Sequence, residues 1–158
     1  MIVNVTGPNG GQPYSKQVAN KISGGATIMA TRLGIGHLPV TYTIKIGRAL
    51  DKSPTDYKDA RGICSLTKKN NKYFAEIFIM REDKISAMIH TLAHEMVHIK
   101  QFIKDGLCLS KSTFRDSVWH PAEGQCPYRN SPWEEEAYTK EPFLANHYLR
   151  YCTMYMVK

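Results

Sequence analysis

The sequence of 158 residues contains no CxxC pair. Cys64, Cys108, Cys126 and Cys152 stand far apart, so neither a zinc knuckle nor a thioredoxin-like redox motif can be built from them. No apolar run approaches the ~20 residues that a membrane-spanning helix needs, and no membrane partner is expected. The opening residues, Met1-Ile-Val-Asn-Val-Thr-Gly-Pro8, lack a basic region followed by an apolar stretch, which predicts no export and a cytoplasmic location. Acids are scarce at one end: residues 1 to 52 hold Lys16, Lys21, Arg32, Lys45, Arg48 and Lys52 against Asp51 alone, which is most of the formal net charge of +7. That bias makes nucleic acid a partner class to weigh, but the basic motif interleaved with aromatics that single-strand binders use is missing. Internal repeats, low-complexity tracts and linkers are absent too. A chain of this length hides roughly 68 to 70% of its unfolded surface without crosslinks, so a single domain over 1–158 is expected.

What is present is clear periodicity. Residues 1–14, ending in Gly7-Pro-Asn-Gly-Gly-Gln-Pro13, are expected to be an irregular lead-in. Val18, Ile22, Ala26, Met29 and Leu33 then recur at helical spacing up to Gly34, with a break or kink expected at Gly24-Gly25. Val40, Tyr42, Ile44 and Ile46 alternate with polar residues as in a half-buried strand. Runs at 62–68 and 73–80, joined through Asn70-Asn71, read as a hairpin, and residues 49 to 60 read as a loop. From an N-cap at Asp83, the stripe Ile85, Met88, Ile89, Leu92, Met96, Ile99 and Ile103 predicts a helix ending at Gly106. After a long loop, Ser131-Pro132 opens a last helix through Trp133, Ala137, Leu144 and Tyr148, with a kink expected at Pro142. The expected class is α+β, with a small three-stranded, mostly antiparallel sheet.

The central helix contains His94-Glu95-Met-Val-His98, an HExxH pattern. Residues four apart lie one turn apart on the same face, so the two imidazoles can bind one tetrahedral ion such as Zn²⁺. Glu95 is then placed to take the proton of a water polarised by that ion, which makes it the candidate general base. With 6 His and 8 Glu in the chain, a shuffled sequence would show the pattern roughly once in a hundred times. Catalytic zinc usually takes three protein ligands. The third can come from Glu134-Glu135-Glu136, whose members also suit a helix N-terminus electrostatically, or from His120. His37 and His90 follow no ligand spacing and read as structural.

HExxH followed by a helix bearing Glu-x-x-Ala resembles the gluzincin metallopeptidases, and Pro132-Trp-Glu-Glu-Glu-Ala137 after a Trp/Tyr-containing loop is similar to compact metallopeptidases encoded by bacteriophages. The resemblance spans residues 85 to about 145. It implies a minimal zincin-like domain, Glu134 as the third metal ligand beside His94 and His98, and Ala137 as the small residue that lets the two helices approach. For a phage protein it implies the cytoplasm of the host cell. Many gluzincins carry Asp or Asn after the Ala to brace a zinc-bound His; Tyr138 stands there, leaving Glu135 or Glu136 as substitutes.

The segment 107–131 is long enough to cover a cleft, with Trp119, His120 and Tyr128 as candidate lining and His120 or Tyr128 as a candidate oxyanion stabiliser. By analogy with zincins, the strand Tyr73 to Met80 is expected to form the edge along which an extended peptide binds. The expected function is that of a zinc peptidase acting on peptide or protein substrates. The alternatives are a zinc-containing binding module for nucleic acid or protein, and a hydrolase of a non-peptide amide.

Overall fold

The computed structural model describes residues 1–7, 15–48, 61–107 and 131–155. Elements follow in the order β1 (Ile2–Thr6), α1 (Lys16–Arg32), β2 (Val40–Gly47), β3 (Gly62–Lys69), β4 (Lys72–Met80), α2 (Ile85–Lys100), a π-helical turn (Gln101–Asp105) and α3 (Pro132–Tyr155). The class is α+β, and the sheet corrects the expected one: among the described residues it has four strands in the order β1-β2-β4-β3. The β1–β2 and β2–β4 pairs are parallel and only β3–β4 is antiparallel. The extra strand lies inside the expected lead-in. Ile2-Val-Asn-Val-Thr6 is β-branched at four of its five positions, and Val3 and Val5 pack on the core.

Alternation puts Val40, Tyr42, Ile44 and Ile46 of β2 and Ala75, Ile77 and Ile79 of β4 on one face of the sheet. Against that face lie Ile22, Ala26 and Met29 of α1 and Ile89, Leu92, Met96 and Ile99 of α2. The hairpin turn is tight: Asn70 and Asn71 both take positive φ (51° and 59°), the two-residue arrangement whose twist matches its strands. As an interior strand held by β2 and β4's own partner β3, β4 cannot be the edge assigned to it from sequence. That edge is β3.

Helix α1 runs unbroken through Gly24 and Gly25, because the missing side chains make room for α3. A Cβ at Gly24 would lie 2.9 Å from Tyr148 Oη, and one at Gly25 would lie 3.1 Å from the Tyr148 ring and 3.2 Å from Leu92. The Tyr148 hydroxyl donates to the Lys21 carbonyl at 2.6 Å. Ser15 caps α1. In α2 the cap position is Lys84, one residue after the expected Asp83, and the first turn closes by Ala87 N–H to the Lys84 carbonyl at 3.1 Å. Gly106, in left-handed conformation, ends the π-helical turn. Pro142 lies within α3 without interrupting it.

Lys16, Lys21 and Arg32 sit on α1, while Lys45 is on β2, so the basic residues of the N-terminal third are divided between the layers. Among the described residues no helix is long and apolar enough to cross a membrane. The loop read at 49 to 60, Cys108, Cys126, Trp119, His120 and Tyr128 lie outside the described residues.

Candidate metal centre

Helix α3 packs along α2 with Ala137 fully buried between them, so side chains that leave facing turns meet. His94 and His98 come from the third and fourth turns of α2, and Glu134 from the first turn of α3. Their donor atoms converge. His94 Nε2 lies 3.0 Å from Glu134 Oε2, His98 Nε2 lies 3.0 Å from Glu134 Oε1, and the two Nε2 atoms are 3.1 Å apart. Bonds of 2.0–2.1 Å around a tetrahedral zinc imply ligand atoms about 3.3 Å apart, so the cluster already stands near the spacing that one small ion requires. These three residues could hold a metal ion.

The backs of the imidazoles explain their aim. Gln101, fully buried at the start of the π-helical turn, gives its amide NH₂ to the Trp133 carbonyl (2.9 Å) and to Glu136 Oε2 (2.8 Å). Both of those are acceptors, which leaves its Oε1 to face His98 Nδ1 at 2.8 Å. An oxygen there requires the His98 proton on Nδ1. Glu141 does similar work on the other ring: its Oε1 lies 3.1 Å from His90 Nδ1 and its Oε2 lies 3.3 Å from His94 Nδ1, close enough for ion pairing but off the line of a hydrogen bond. The ring of Tyr138 packs on His94 with centroids 4.6 Å apart.

With the Nδ1 proton committed to Gln101, neutral His98 turns a lone pair toward the carboxylate oxygens of Glu134. Two acceptors at 3.0 Å repel, so a cation must lie between them, either protons on the imidazoles or a metal. In the metal-free chain protons do this. Burial alone would lower His94, but the hydrogen bond to Glu134 and the nearby carboxylate of Glu141 outweigh it and raise the ring to about 9. His98 is raised in the same way by Glu134. Burial would raise Glu134, yet the two histidines hold it down at about 2.

Glu95, the next residue after His94, points about 100° away and is 5% exposed. Its carboxylate lies on the edge strand: a Cβ at Gly62 would come within 2.8 Å of Glu95 Oε1 and 2.6 Å of Thr91 Cγ2, and the Cys64 thiol hydrogen-bonds to it. Burial raises the Glu95 carboxyl above its usual range, against the pull of His98 and His94.

Three residues named from sequence, His94, His98 and Glu134, thus come together, and Glu95 stands beside them against β3. Of the two proposed braces, Glu136 acts through Gln101 and is also paired with Lys100 and Lys140, while Glu135 is exposed on α3. Sequence reasoning missed Gln101 and Glu141. Their signals were spacings: Gln101 is three residues after His98, and Glu141 is seven after Glu134, two turns along the same helix face. His90, read as structural, is the second partner of Glu141. Comparison with protein-family models, with curated proteins and with solved structures finds no match to this chain.

Proposed function

We propose that the chain is a zinc-dependent hydrolase of the gluzincin kind, most directly a peptidase, with His94, His98 and Glu134 as metal ligands and Glu95 as general base. The observation that carries this reading is the convergence of two Nε2 atoms and one carboxylate at 3.0–3.1 Å, with the Nδ1 atoms of both rings turned toward Gln101 and Glu141. When bound there, zinc supplies a Lewis acid and brings the pKa of a water from about 16 to about 7.

The rest is done by the chain's own groups. Glu95 lies outside the ligand set, so its carboxylate is left to take a proton from the attacking water and to hand it to the departing amine. A carboxyl raised by burial holds that proton better at neutral pH than an ordinary glutamate does. Gly62 and Cys64 hold Glu95 in place, and Tyr138 walls one side of His94. Glu141 and Gln101 keep the rings from turning.

The experiment is metal analysis of the purified chain combined with hydrolysis of an unfolded protein. About one equivalent of zinc per chain is expected, lost in Glu134→Ala together with hydrolysis. A wild-type chain that takes up no zinc contradicts the reading.

A further inference from the structure

On the ladder between β3 and β4, Met80 N–H donates to the Arg61 carbonyl at 2.7 Å. In an antiparallel pair, hydrogen-bonded positions alternate, so Arg61, Ile63, Ser65, Thr67 and Lys69 face β4 with their backbone groups. The N–H and C=O groups of Gly62, Cys64, Leu66 and Lys68 therefore aim at the other edge, where no described strand pairs with them. This edge starts beside Glu95, at Gly62 and Cys64, and ends at the hairpin turn.

The turn is basic. From residue 62 to residue 75 there is no acid, and Lys68, Lys69 and Lys72 are all exposed. Lys69 and Lys72 are direct cross-strand partners, an arrangement of like charges that destabilises a hairpin. Lys68 lies over the Tyr73 ring at 5.3 Å from its centroid. Among the described residues no carboxylate pairs with any of the three, whereas Arg61, at the opposite end of the strand, is paired with Glu82 at 3.0 Å. Among the described residues the repulsion thus stands uncompensated at one end of this edge, where an anionic partner would relieve it.

We propose that the partner is an acidic polypeptide segment, bound extended along the β3 edge, with its carboxylates on Lys68, Lys69 and Lys72. The proposal rests on the peptidase reading for which bond is cut. Gly62 to Lys68 spans six residues, about 20 Å at the rise of a strand, so the acidic residues fall roughly four to seven positions from the bond held beside Glu95. A backbone ladder with this two-residue repeat suits a polypeptide and offers nothing to a sugar-phosphate chain, which argues for protein over nucleic acid.

The test uses the full zinc-loaded chain with Glu95→Gln, so that nothing is cut, and two labelled peptides identical except for a glutamate run in place of glutamines. Fluorescence anisotropy is expected to show the acidic peptide binding about tenfold more tightly at low salt, the sum of three exposed ion pairs. The triple variant K68S/K69S/K72S, with circular dichroism as the check that it folds, is expected to abolish that advantage and leave the glutamine peptide as it was. Equal affinity for both peptides overturns the proposal, as does an advantage that survives the triple substitution. So does a single-stranded oligonucleotide that displaces the acidic peptide through the same lysines. The peptidase reading fails separately: there the chain with Glu95 intact leaves both peptides uncut, whether or not the lysines select between them.

Discussion

His98 and Gln101, three residues apart across the junction of α2 and its π-helical turn, are tied Nδ1 to Oε1 at 2.8 Å, and both are buried. The π-helical turn places a polar side chain where it can reach back to the ring and forward to Trp133 and Glu136 on α3. One amide thereby fixes the tautomer of a proposed ligand and joins the two helices that carry the candidate metal site.

Gln101→Leu removes this tie and leaves the Trp133 carbonyl and the Glu136 carboxylate without it. Zinc affinity, measured by competition with a chromophoric chelator, is expected to fall by about 10- to 100-fold, the usual effect of losing a partner behind a metal-bound histidine. Unchanged affinity would mean that the amide is only a helix-packing contact.

Glu141→Gln tests the other brace. The amide retains the shape but loses the charge shared between His90 and His94 at 3.1 and 3.3 Å. Zinc affinity should drop by roughly tenfold. Ala in place of His90, which is not a proposed ligand, should have the smaller effect, and the two substitutions together should cost less than the sum of their separate effects, because they share one contact.

Stability of the metal-free chain should depend on pH on both sides of neutrality. His94 is raised from 6.5 to about 9, so its contribution is fully present below pH 6.5 and is lost as pH rises through 9. Glu134 is lowered from 4.5 to about 2, so its contribution is present above pH 4.5 and is lost as pH falls through 2. Thermal unfolding in chelator should therefore be most resistant between pH 4.5 and 6.5 for this site. Zinc must displace the imidazole protons, so its affinity should rise with pH up to about 9 with proton release, readable by calorimetry in buffers of different ionisation enthalpy.

Gly62→Ala places a methyl 2.6 Å from Thr91 Cγ2 and 2.8 Å from Glu95 Oε1. Neither contact can persist, and the expected outcome is a loss of about 1–3 kcal/mol in unfolding free energy. Zinc content should be unaffected, since Glu95 is outside the ligand set, while hydrolysis falls. Denaturant melts and metal analysis on the same sample separate the two effects.

How much of this was legible in the sequence follows the range of the interactions. His94, Glu95 and His98 were readable because one turn of one helix sets their relation. Glu134 was readable as a first-turn acid once the resemblance named a third ligand, although nothing local distinguished it from Glu135 and Glu136. Gln101 and Glu141 escaped because their roles depend on how α2 and α3 are rotated against each other, which a helical repeat does not encode. Strand order escaped for the same reason. Hairpin partners are adjacent in sequence, but the parallel pairing of β2 with β4, which makes β3 the edge, joins strands separated by the β3 excursion. Strand β1 carries a local signal of its own, Val3 and Val5 alternating with Asn4 in a β-branched run just before the turn-formers at 7–13.

The most direct measurement is a pair of assays on Glu95→Gln and wild type side by side: zinc content, and hydrolysis of one unfolded protein, which wild type is expected to cut. Because Glu95 is buried against Gly62 and Cys64 and belongs to no ligand set, the variant should retain about one zinc per chain and lose at least ~100-fold in kcat, the contribution of a positioned general base. A variant that holds zinc and still cleaves at the wild-type rate would contradict the proposed chemistry.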